Sequence, residues 1–310
     1  AIFTNLTQDH LDFHVDLEHY LQAKMHLFEL VGQSDDRTKR FPRWAVLNAD
    51  DPASARIKQM TTSPVLSYGL TQKADIQATQ IALTAHGSSF TVHTPYGESP
   101  VHSRLPGLFN VYNALAAVGA GLASGADLET IVSRLAVVAG VPGRFEVIDG
   151  DQPFTVVVDY AHTPDGLANV LRTARQMTQG KLIAVFGAGG DRDRSKRAAM
   201  GAIAGKLADL VIVTSDNPRT EDPAAIISEI VQGLRQETPN AAFSEEIDRR
   251  KAVEAAITSA APGDMVVIAG KGHETSQIFA DHVVHFDDRE EAVSALQRHG
   301  FTVEGANSTD

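Results

Sequence analysis

The chain has 310 residues, of which 43% are hydrophobic, and a formal net charge of −12 at pH 7. This length is enough for about two domains with their own cores, and the composition excludes disordered and fibrous classes. The acidic balance argues against a general binder of nucleic acid or of membrane surfaces. No apolar run reaches the roughly 18 residues of a membrane span, so we expect none.

Cysteine is absent from the chain, which excludes both a disulfide framework and thiolate chemistry and leads us to expect a cytoplasmic protein. Residues 1–5 lack a basic segment, so we expect part of a strand there rather than a signal peptide.

Strands and helices alternate in the first part of the chain, which predicts an α/β architecture. Residues 75–103 differ, because alternating polar and apolar stretches lie between turn signals and predict a small antiparallel sheet of hairpins. The other predicted elements are strands at 44–48 and 65–68, a helix that opens at 50–52, and helices at about 111–122 and 128–138.

An Ala-Gly-Val-Pro-Gly segment at 139–143 predicts a hinge, and we place the domains at 1–143 and 144–310. Beyond the hinge, the strand and helix pattern predicts a doubly wound, mostly parallel sheet with ligands at the carboxyl ends of its strands. The predicted elements are strands at 155–159, 182–186, 210–214 and 265–269, and helices that contain Leu167, residues 195–207 and Ile226.

Polar groups follow four of these strands. A single loop of this kind is explained by turn chemistry, but four in series at one sheet edge indicate a binding site. The loops are Asp159–His162, Gly187–Arg192, Ser215–Arg219 and Gly270–Glu274.

The loop Gly187–Arg192 resembles a dinucleotide fingerprint, but Arg192 occupies its third glycine position. Bare glycines before a helix can still present N–H groups to an anion, and Arg192 can bind a carboxylate or phosphate. The alternative is a glycine turn in which Arg192 pairs with Asp191 or Asp193.

Asp216, Asn217 and Arg219 combine an acid, an amide and a guanidinium within four residues. Such a group can bind a zwitterion, with the acid on the ammonium and the arginine on the carboxylate. The alternative is an ordinary helix start capped by Thr220 with acidic residues in its first turn.

His10 and His14 are spaced as a metal pair on one helical face, although ordinary surface histidines have the same spacing. Lys24 lies fourteen residues after His10, on roughly the same side if one helix continues through both. The phosphate-binding sequence G-x-x-x-x-G-K-[ST] occurs nowhere in the chain.

Taken in order, several motifs resemble the Mur ligase family over nearly the whole chain. They are Thr4–Leu6, Asp9–Asp12, Ala23–Lys24, Pro106–Asn113, Pro142–Glu146, Asp159–Pro164 and the loops at Arg192, Asp216–Arg219 and Gly270–Glu274. The resemblance implies the remainder of a central ATP-binding domain over 1–143, followed by a Rossmann-like C-terminal domain over 144–310 that binds an incoming amino acid. The family's UDP-binding domain and phosphate loop have no counterpart in these residues, so we expect the chain alone to be inactive. We also expect a monomer.

The resemblance also implies a reaction, in which ATP-dependent amide bond formation in peptidoglycan synthesis proceeds through an acyl phosphate. The expected substrates are UDP-N-acetylmuramoyl-L-alanyl-D-glutamate and meso-diaminopimelate, and Mg²⁺ is expected to neutralise the crowded oxygens. Three alternatives remain open: a ligase of the same type that adds L-lysine, a ligase similar to folylpolyglutamate synthase, and a binding module without turnover.

The family's functional positions imply roles for thirteen residues here. Lys24, as a carbamate, and His10 are implied to be catalytic metal ligands. The implied ATP contacts are Asn110, Asn113, Arg144, Asp159 and His162. The implied contacts of the amino acid are Arg192, Asp216, Asn217, Arg219, Gly270 and Glu274. Arg219 favours meso-diaminopimelate over L-lysine, because its guanidinium suits the distal carboxylate and repels a lysine ammonium.

Overall fold

A computed structural model describes residues 1–7, 14–33 and 43–303 of the chain. The protein divides into two units, Ala1–Ala139 and Gly140–Asp310, each with a six-stranded sheet. The division falls four residues before the predicted domain boundary. The function expected of each domain stays a prediction.

The first unit has one sheet in the strand order β1-β2-β3-β4-β5-β6. Its elements are β1 Ile2–Phe3, α1 Leu17–Gln33, β2 Ala45–Asn48, α2 Ala53–Met60, β3 Val65–Gly69, β4 Ile76–Thr84, β5 Gly87–Thr94, β6 Gly97–Ser103, α3 Leu108–Ala123 and α4 Leu128–Leu135.

The predicted hairpins at 75–103 do form, but they are not a separate small sheet. Strands β4, β5 and β6 pair antiparallel, while β4 also pairs parallel with β3 through Tyr68 and Ile76. The turn glycines Gly87 and Gly97 have φ of 149° and 125°, which a residue with a side chain rarely adopts. Pairing with β4 covers the open edge of β3, which would otherwise expose unpaired backbone groups.

Strand β2 separates two cores in this unit. Ala45 and Leu47 pack with Phe28 of α1, whereas Val46 between them packs with Leu115 of α3. Successive side chains of a strand point to opposite faces, so four residues suffice to hold α1 and α2 on one face and α3 on the other.

Helix α1 starts later than a continuous helix from His10 to Lys24 would require. Residues 14–16 form a bend, and Asp16 accepts a hydrogen bond from the His19 N–H at 2.8 Å. Aspartate at this position caps a helix and fixes its start. The predicted pairing of two histidines on one helical face is therefore wrong for His14, and His10 lies outside the described residues.

The second unit carries the strand order β11-β10-β9-β12-β8-β7. Its elements are β7 Glu146–Val147, β8 Thr155–Asp159, α5 Pro164–Met177, β9 Leu182–Phe186, α6 Ser195–Leu207, β10 Leu210–Thr214, α7 Pro223–Glu237, β11 Ala242–Glu246, α8 Arg249–Ser259, β12 Met265–Ala269, β13 Ser276–Ile278, β14 Val283–His285 and α9 Asp288–Arg298.

Strands β8 to β12 are all parallel, and β7 adds an antiparallel edge. The chain steps from β8 to β9, β10 and β11 in one direction and then returns, so that β12 lies between β9 and β8. Right-handed crossovers then put α5, α6 and α7 on one face and α8 and α9 on the other. The predicted α/β architecture with a mostly parallel sheet is confirmed. No helix within the described ranges is both long and apolar enough to span a lipid bilayer.

A fully buried ion pair joins the two helices on the second face. Arg249 begins α8 and Asp288 begins α9, and both side chains are 0% exposed. The guanidinium donates Nε to Oδ1 at 2.7 Å and Nη2 to Oδ2 at 2.8 Å. It also donates to the carbonyl oxygens of Ser215 and Ala269, at the ends of β10 and β12. Burial alone would lower the pKa of Arg249, but the Asp288 carboxylate raises it above its usual value.

We expect Asp288→Asn to reduce the free energy of unfolding by about 3–5 kcal/mol, because it leaves the buried guanidinium without its counter-charge. Urea denaturation at neutral pH measures this loss. Arg250→Met is the matched control: it breaks the neighbouring α8–α9 pair with Glu291, whose arginine is 58% exposed, and it should cost less than about 1 kcal/mol. Equal losses in the two variants would contradict a central role for the buried pair.

Candidate functional site

The four polar loops of the second unit meet at one edge of its sheet. Ala269, the last residue of β12, is in register with Asp159 of β8 and with Phe186 of β9. Phe186 is in turn in register with Val213 of β10. The chain therefore leaves four neighbouring strands at the same level, as expected for a ligand site in a doubly wound sheet.

Asn217, Lys271 and Glu274 are joined by hydrogen bonds, and Asp216 joins them through an ion pair with Lys271. We call these four residues the selector cluster. The Asn217 amide donates Nδ2 to Glu274 Oε2 at 2.9 Å, and its Oδ1 accepts from Lys271 Nζ at 3.0 Å. Lys271 Nζ lies 3.3 Å from Glu274 Oε2 and 3.7 Å from Asp216 Oδ1. Three predicted amino-acid contacts are thus brought together, around a lysine that the sequence analysis did not select.

Gly270 belongs to this site because of its backbone. Its φ is 120°, and a Cβ there would lie 2.7 Å from Asp216 Oδ2, so any side chain would displace the carboxylate. Its N–H donates to the carbonyl of Asp159 at 3.0 Å, which fixes the start of the loop against β8.

Arg219 is held by backbone groups on both sides of its loop. Its N–H donates to Ile278 O at 3.0 Å, and its Nη1 donates to Gly190 O at 2.8 Å and to Asn217 O at 3.4 Å. Its φ of 52° is unusual for a residue with a side chain. Among the described residues, Nε and Nη2 of this half-buried guanidinium have no hydrogen-bond partner.

The alternative prediction for this loop is a helix start capped by Thr220, and that cap is wrong. Helix α7 is capped by Asp222, whose side chain accepts from the Ala224 N–H, and Pro223 occupies its first turn, where the missing N–H costs nothing. Thr220 instead donates its hydroxyl to Asp191 Oδ1 at 2.7 Å.

The glycines of the loop Gly187–Arg192 pack closely against residues 214–219. The Gly190 N–H donates to Asn217 O at 2.9 Å, and a Cβ on Gly190 would overlap the Pro218 carbonyl. The Asp191 N–H donates to Glu221 Oε1 at 2.7 Å. Neither group belongs to a helix start, because α6 begins only at Ser195. These two N–H groups are therefore not available to an anion, and anion binding by the other N–H groups of the loop stays a prediction.

Arg192 is exposed and donates Nη1 to the Asp191 carbonyl at 3.0 Å. In the described part of the chain it forms no ion pair with Asp191, Asp193 or the selector cluster. The alternative is therefore correct only in that Arg192 contacts Asp191, through the backbone carbonyl. The predicted contact of Arg192 with the amino acid stays a prediction.

Two of the predicted ATP contacts lie against the Tyr160 ring, and a third precedes it in the chain. The Arg144 guanidinium lies 4.6 Å from the centre of the Tyr160 ring, and the His162 ring lies 4.6 Å from it on an edge. Asp159, just before, is buried and accepts the N–H groups of Phe145 and Ala161, both at 2.7 Å. Burial raises the pKa of Asp159.

The loop Gly270–Glu274 connects this Tyr160 group with the selector cluster. The His273 ring lies 5.1 Å from the Tyr160 ring. A Cβ on Gly272 would lie 2.6 Å from Tyr160 Cβ and 2.7 Å from Gly143 O, so the close approach requires glycine.

In the first unit, the predicted ATP contacts Asn110 and Asn113 lie on the first turns of α3. Asn110 Nδ2 donates to Pro106 O at 2.8 Å, and Asn113 Nδ2 donates to Asn110 Oδ1 at 3.1 Å. The helix is anchored beside them, because the Tyr112 hydroxyl donates to Asp50 Oδ2 at 2.8 Å.

Lys24 is half-buried in α1, and its Nζ lies 4.6 Å from the centre of the Tyr20 ring. Within residues 1–7, 14–33 and 43–303, no three histidine, aspartate or glutamate side chains are grouped so that they could hold a metal ion. A lysine ammonium is not a metal ligand, and His10 lies outside these ranges. The described residues alone do not fit a metal ion, so the metal site stays a prediction.

Comparisons with known proteins match both units. A model of the Mur ligase middle domain matches residues 1–121, and a model described as Mur ligase, glutamate ligase domain, matches residues 143–272. Among similar proteins is the UDP-N-acetylmuramoyl-L-alanyl-D-glutamate--2,6-diaminopimelate ligase of Geobacillus kaustophilus, 50% identical over 300 residues, which cover 97% of this chain and 60% of the relative. The protein of the same name from Thermosynechococcus vestitus is 52% identical over 300 residues, covering 96% and 58%. The chain thus spans about 60% of the length of these curated relatives.

Solved structures agree on the fold. A structure of a UDP-N-acetylmuramoyl-L-alanyl-D-glutamate--2,6-diaminopimelate ligase superposes with a TM-score of 0.65 at 39% identity, covering 97% of this chain and 60% of that one. A pseudomurein peptide ligase type C from Methanothermus fervidus has a TM-score of 0.70 at 19% identity, covering 96% and 63%. At that identity the second likeness concerns the fold alone.

We expect Gly190→Ala to lower the free energy of unfolding by about 1–3 kcal/mol, because its methyl group overlaps a backbone carbonyl of the neighbouring loop. Thermal and urea denaturation measure the loss. Gly140→Ala is the control, since a Cβ there meets nothing within 4 Å. If both variants unfold at the same urea concentration, the glycine is not required for loop packing.

Proposed function

Since this chain belongs to the Mur ligase family, we propose that it is the part of an ATP-dependent ligase that contacts the nucleotide and selects meso-diaminopimelate. The product would be an amide between this amino acid and UDP-N-acetylmuramoyl-L-alanyl-D-glutamate, in peptidoglycan synthesis. The observation that carries the proposal is the selector cluster, in which two carboxylates and an amide lie beside the Arg219 guanidinium, two of whose donors have no partner among the described residues.

The proposed reaction has two steps. The γ-phosphoryl group of ATP is transferred to a side-chain carboxylate oxygen of the D-glutamate residue, which releases ADP and leaves an acyl phosphate. The amine of diaminopimelate then attacks the acyl carbon, phosphate leaves with the bonding electrons, and the new amide nitrogen loses its extra proton. A site that excludes water protects the acyl phosphate.

Charge complementarity supports meso-diaminopimelate as the amino acid. Asp216 and Glu274 supply negative charge for an ammonium group, and Arg219 supplies a planar cation for the carboxylate that lysine lacks. Because Nη1 of Arg219 is already bound to backbone oxygens, Nε and Nη2 are the donors that we assign to the substrate. Gly270 would let the amino acid approach the loop backbone, and Arg192 would contact the same substrate from the exposed rim.

We assign the nucleotide to the remaining predicted residues. Arg144 and His162 would contact ATP from either side of Tyr160, with Asp159 accepting hydrogen bonds beneath them. Asn110 and Asn113 would contact it from the start of α3. In this proposal, residues 1–143 are the ATP-binding domain and residues 144–310 the amino-acid-binding domain.

Magnesium is also part of the proposal, by resemblance to the family. His10 and a carbamylated Lys24 would hold it, and the ion would neutralise the crowded phosphate oxygens. The carbamate forms when CO₂ adds to the unprotonated Lys24 amine, which then loses a proton. We further propose that the protein works in the cytoplasm as a monomer.

Two other functions fit the fold less well. A ligase that adds L-lysine would place an ammonium next to the Arg219 guanidinium, at a cost in charge repulsion. A binding module without turnover would need no acyl acceptor, and measuring phosphate release by the complete natural protein separates it from a ligase.

Substituting Arg219 tests the amino acid. In the complete natural protein that contains this chain, Arg219→Ala should reduce kcat/KM for meso-diaminopimelate by about 1.5–3.5 decades, the equivalent of roughly 2–5 kcal/mol for a lost charge partner. The value for L-lysine should change much less. Arg235→Ala, which removes a 64% exposed arginine of α7, should change neither. A parent enzyme that prefers L-lysine, or an unchanged preference in Arg219→Ala, would contradict the assignment.

Substituting Lys24 tests the carbamate. Lys24→Ala in the complete protein should lose most activity and regain part of it with added short-chain carboxylates, which replace the missing oxygen ligands. The parent, incubated with ¹³C-bicarbonate, should give a carbamate signal in ¹³C NMR that Lys24→Ala lacks. Lys58→Ala, on the neighbouring helix α2, is the control and should keep both activity and signal. Full activity of Lys24→Ala would rule the role out.

A further inference from the structure

Lys271 is a fully buried lysine within a site for charged substrates. Its side chain is 0% exposed, and lysine is almost never fully buried unless it is paired. It stands between two glycines with left-handed backbone, Gly270 with φ of 120° and Gly272 with φ of 54°. These conformations turn the loop sharply on either side and send the lysine side chain inward.

The buried ammonium has two hydrogen-bond acceptors and a further carboxylate at ion-pair distance. Asn217 Oδ1 lies at 3.0 Å, Glu274 Oε2 at 3.3 Å and Asp216 Oδ1 at 3.7 Å. All three residues are proposed contacts of the amino acid, whereas Lys271 itself has no exposed atom with which to touch it.

We propose that Lys271 is the positioning residue of the selector cluster, setting its charge and the orientation of its amide. This inference rests on the proposed function. Asp216 and Glu274 together carry two negative charges, and Lys271 compensates one of them. The cluster is left with one net negative charge, which matches a single ammonium group of an amino acid.

The amide orientation of Asn217 follows from the same contact. Its Oδ1 accepts from Lys271 and from the Ile278 N–H at 3.0 Å, so its Nδ2 faces Glu274. If the Asn217 amide were rotated, its NH₂ group would face the Lys271 ammonium and the Ile278 N–H, which are both donors. One oxygen of the Glu274 carboxylate therefore accepts hydrogen bonds from both Lys271 and the Asn217 amide, which fixes the orientation of the carboxylate.

Steady-state kinetics of the complete natural protein test this role. Lys271→Met keeps the length of the side chain and removes its charge, and should raise KM for meso-diaminopimelate at least about tenfold. KM for ATP should stay within about twofold, because a positioning residue of the amino-acid subsite does not act on nucleotide binding. Lys206→Met, the same substitution at a 53% exposed lysine, should leave both values unchanged.

A second variant and a stability control separate positioning from folding. Lys271→Gln can still donate to Asn217 but lacks the charge, so it should raise KM for the amino acid less than Lys271→Met does. If Lys271→Met does not fold, Lys271→Gln is used for the test. Leu234→Ala removes a buried side chain far along α7 and should lower thermal stability without changing the ratio of the two KM values.

The outcomes are distinct. A rise in KM confined to the amino acid supports the inference. An unchanged KM for the amino acid, or a parallel change in both KM values, overturns it. A parent protein without diaminopimelate-dependent turnover overturns the proposed function instead, and the role of Lys271 falls with it.

Discussion

The buried pair of Arg249 and Asp288 is the interaction on which the candidate site depends. Its guanidinium satisfies the carbonyl groups of Ser215 and Ala269, the residues immediately before Asp216 and Gly270. A buried carbonyl without a donor costs a large part of a hydrogen bond, so the two loops can leave the sheet at this level only while the arginine is present. The arginine in turn can be buried only because Asp288 neutralises it. The geometry of two loops of the candidate site therefore depends on a contact between the first residues of α8 and α9.

Two other buried cations, Arg197 and Lys271, are paired with carboxylates next to the neighbouring loops. Arg197 is fully buried, binds Glu221 and Glu229, and donates to the Gly189 carbonyl at 3.3 Å. Lys271 is fully buried between carboxylates of the selector cluster. Burying a charge and its partner yields little net stability, because desolvation offsets the attraction. What such pairs provide here is fixed geometry, since each cation binds acceptors in more than one loop or helix. These cations thus hold the loops in place at the sheet edge where ligands are expected, and they add little net stability.

The central elements of the second unit could be predicted from the sequence, and the buried charges could not. Strands β8, β9, β10 and β12 have the predicted bounds, because strands covered on both faces are uninterrupted apolar runs. The edge strand β11 is mostly exposed and contains Glu245, so it lacks that signal. Helix α8 begins with three consecutive cationic residues, a sequence typical of an exposed segment. Its first residue, Arg249, is nevertheless fully buried. Lys271 was overlooked for a related reason: a lysine between two glycines is typical of an exposed turn, and its partner Asn217 lies 54 residues away.

A single loop couples the two groups of the second unit that are proposed to bind different substrates. Gly270 lies against Asp216 and bonds to Asp159, while Gly272 packs against Tyr160 and Gly143. Two glycines are needed because the backbone passes closer to both groups than a Cβ allows. The backbone of this loop therefore fixes the distance between the Tyr160 group and the selector cluster, without involving the Lys271 side chain. For a ligase this rigidity has a direct use, because attack on an acyl phosphate requires the amine within about 3–3.5 Å of the reacting carbon. Under the proposed function, the backbone of the loop Gly270–Glu274 would thus hold the amino-acid site at a fixed distance from the nucleotide site.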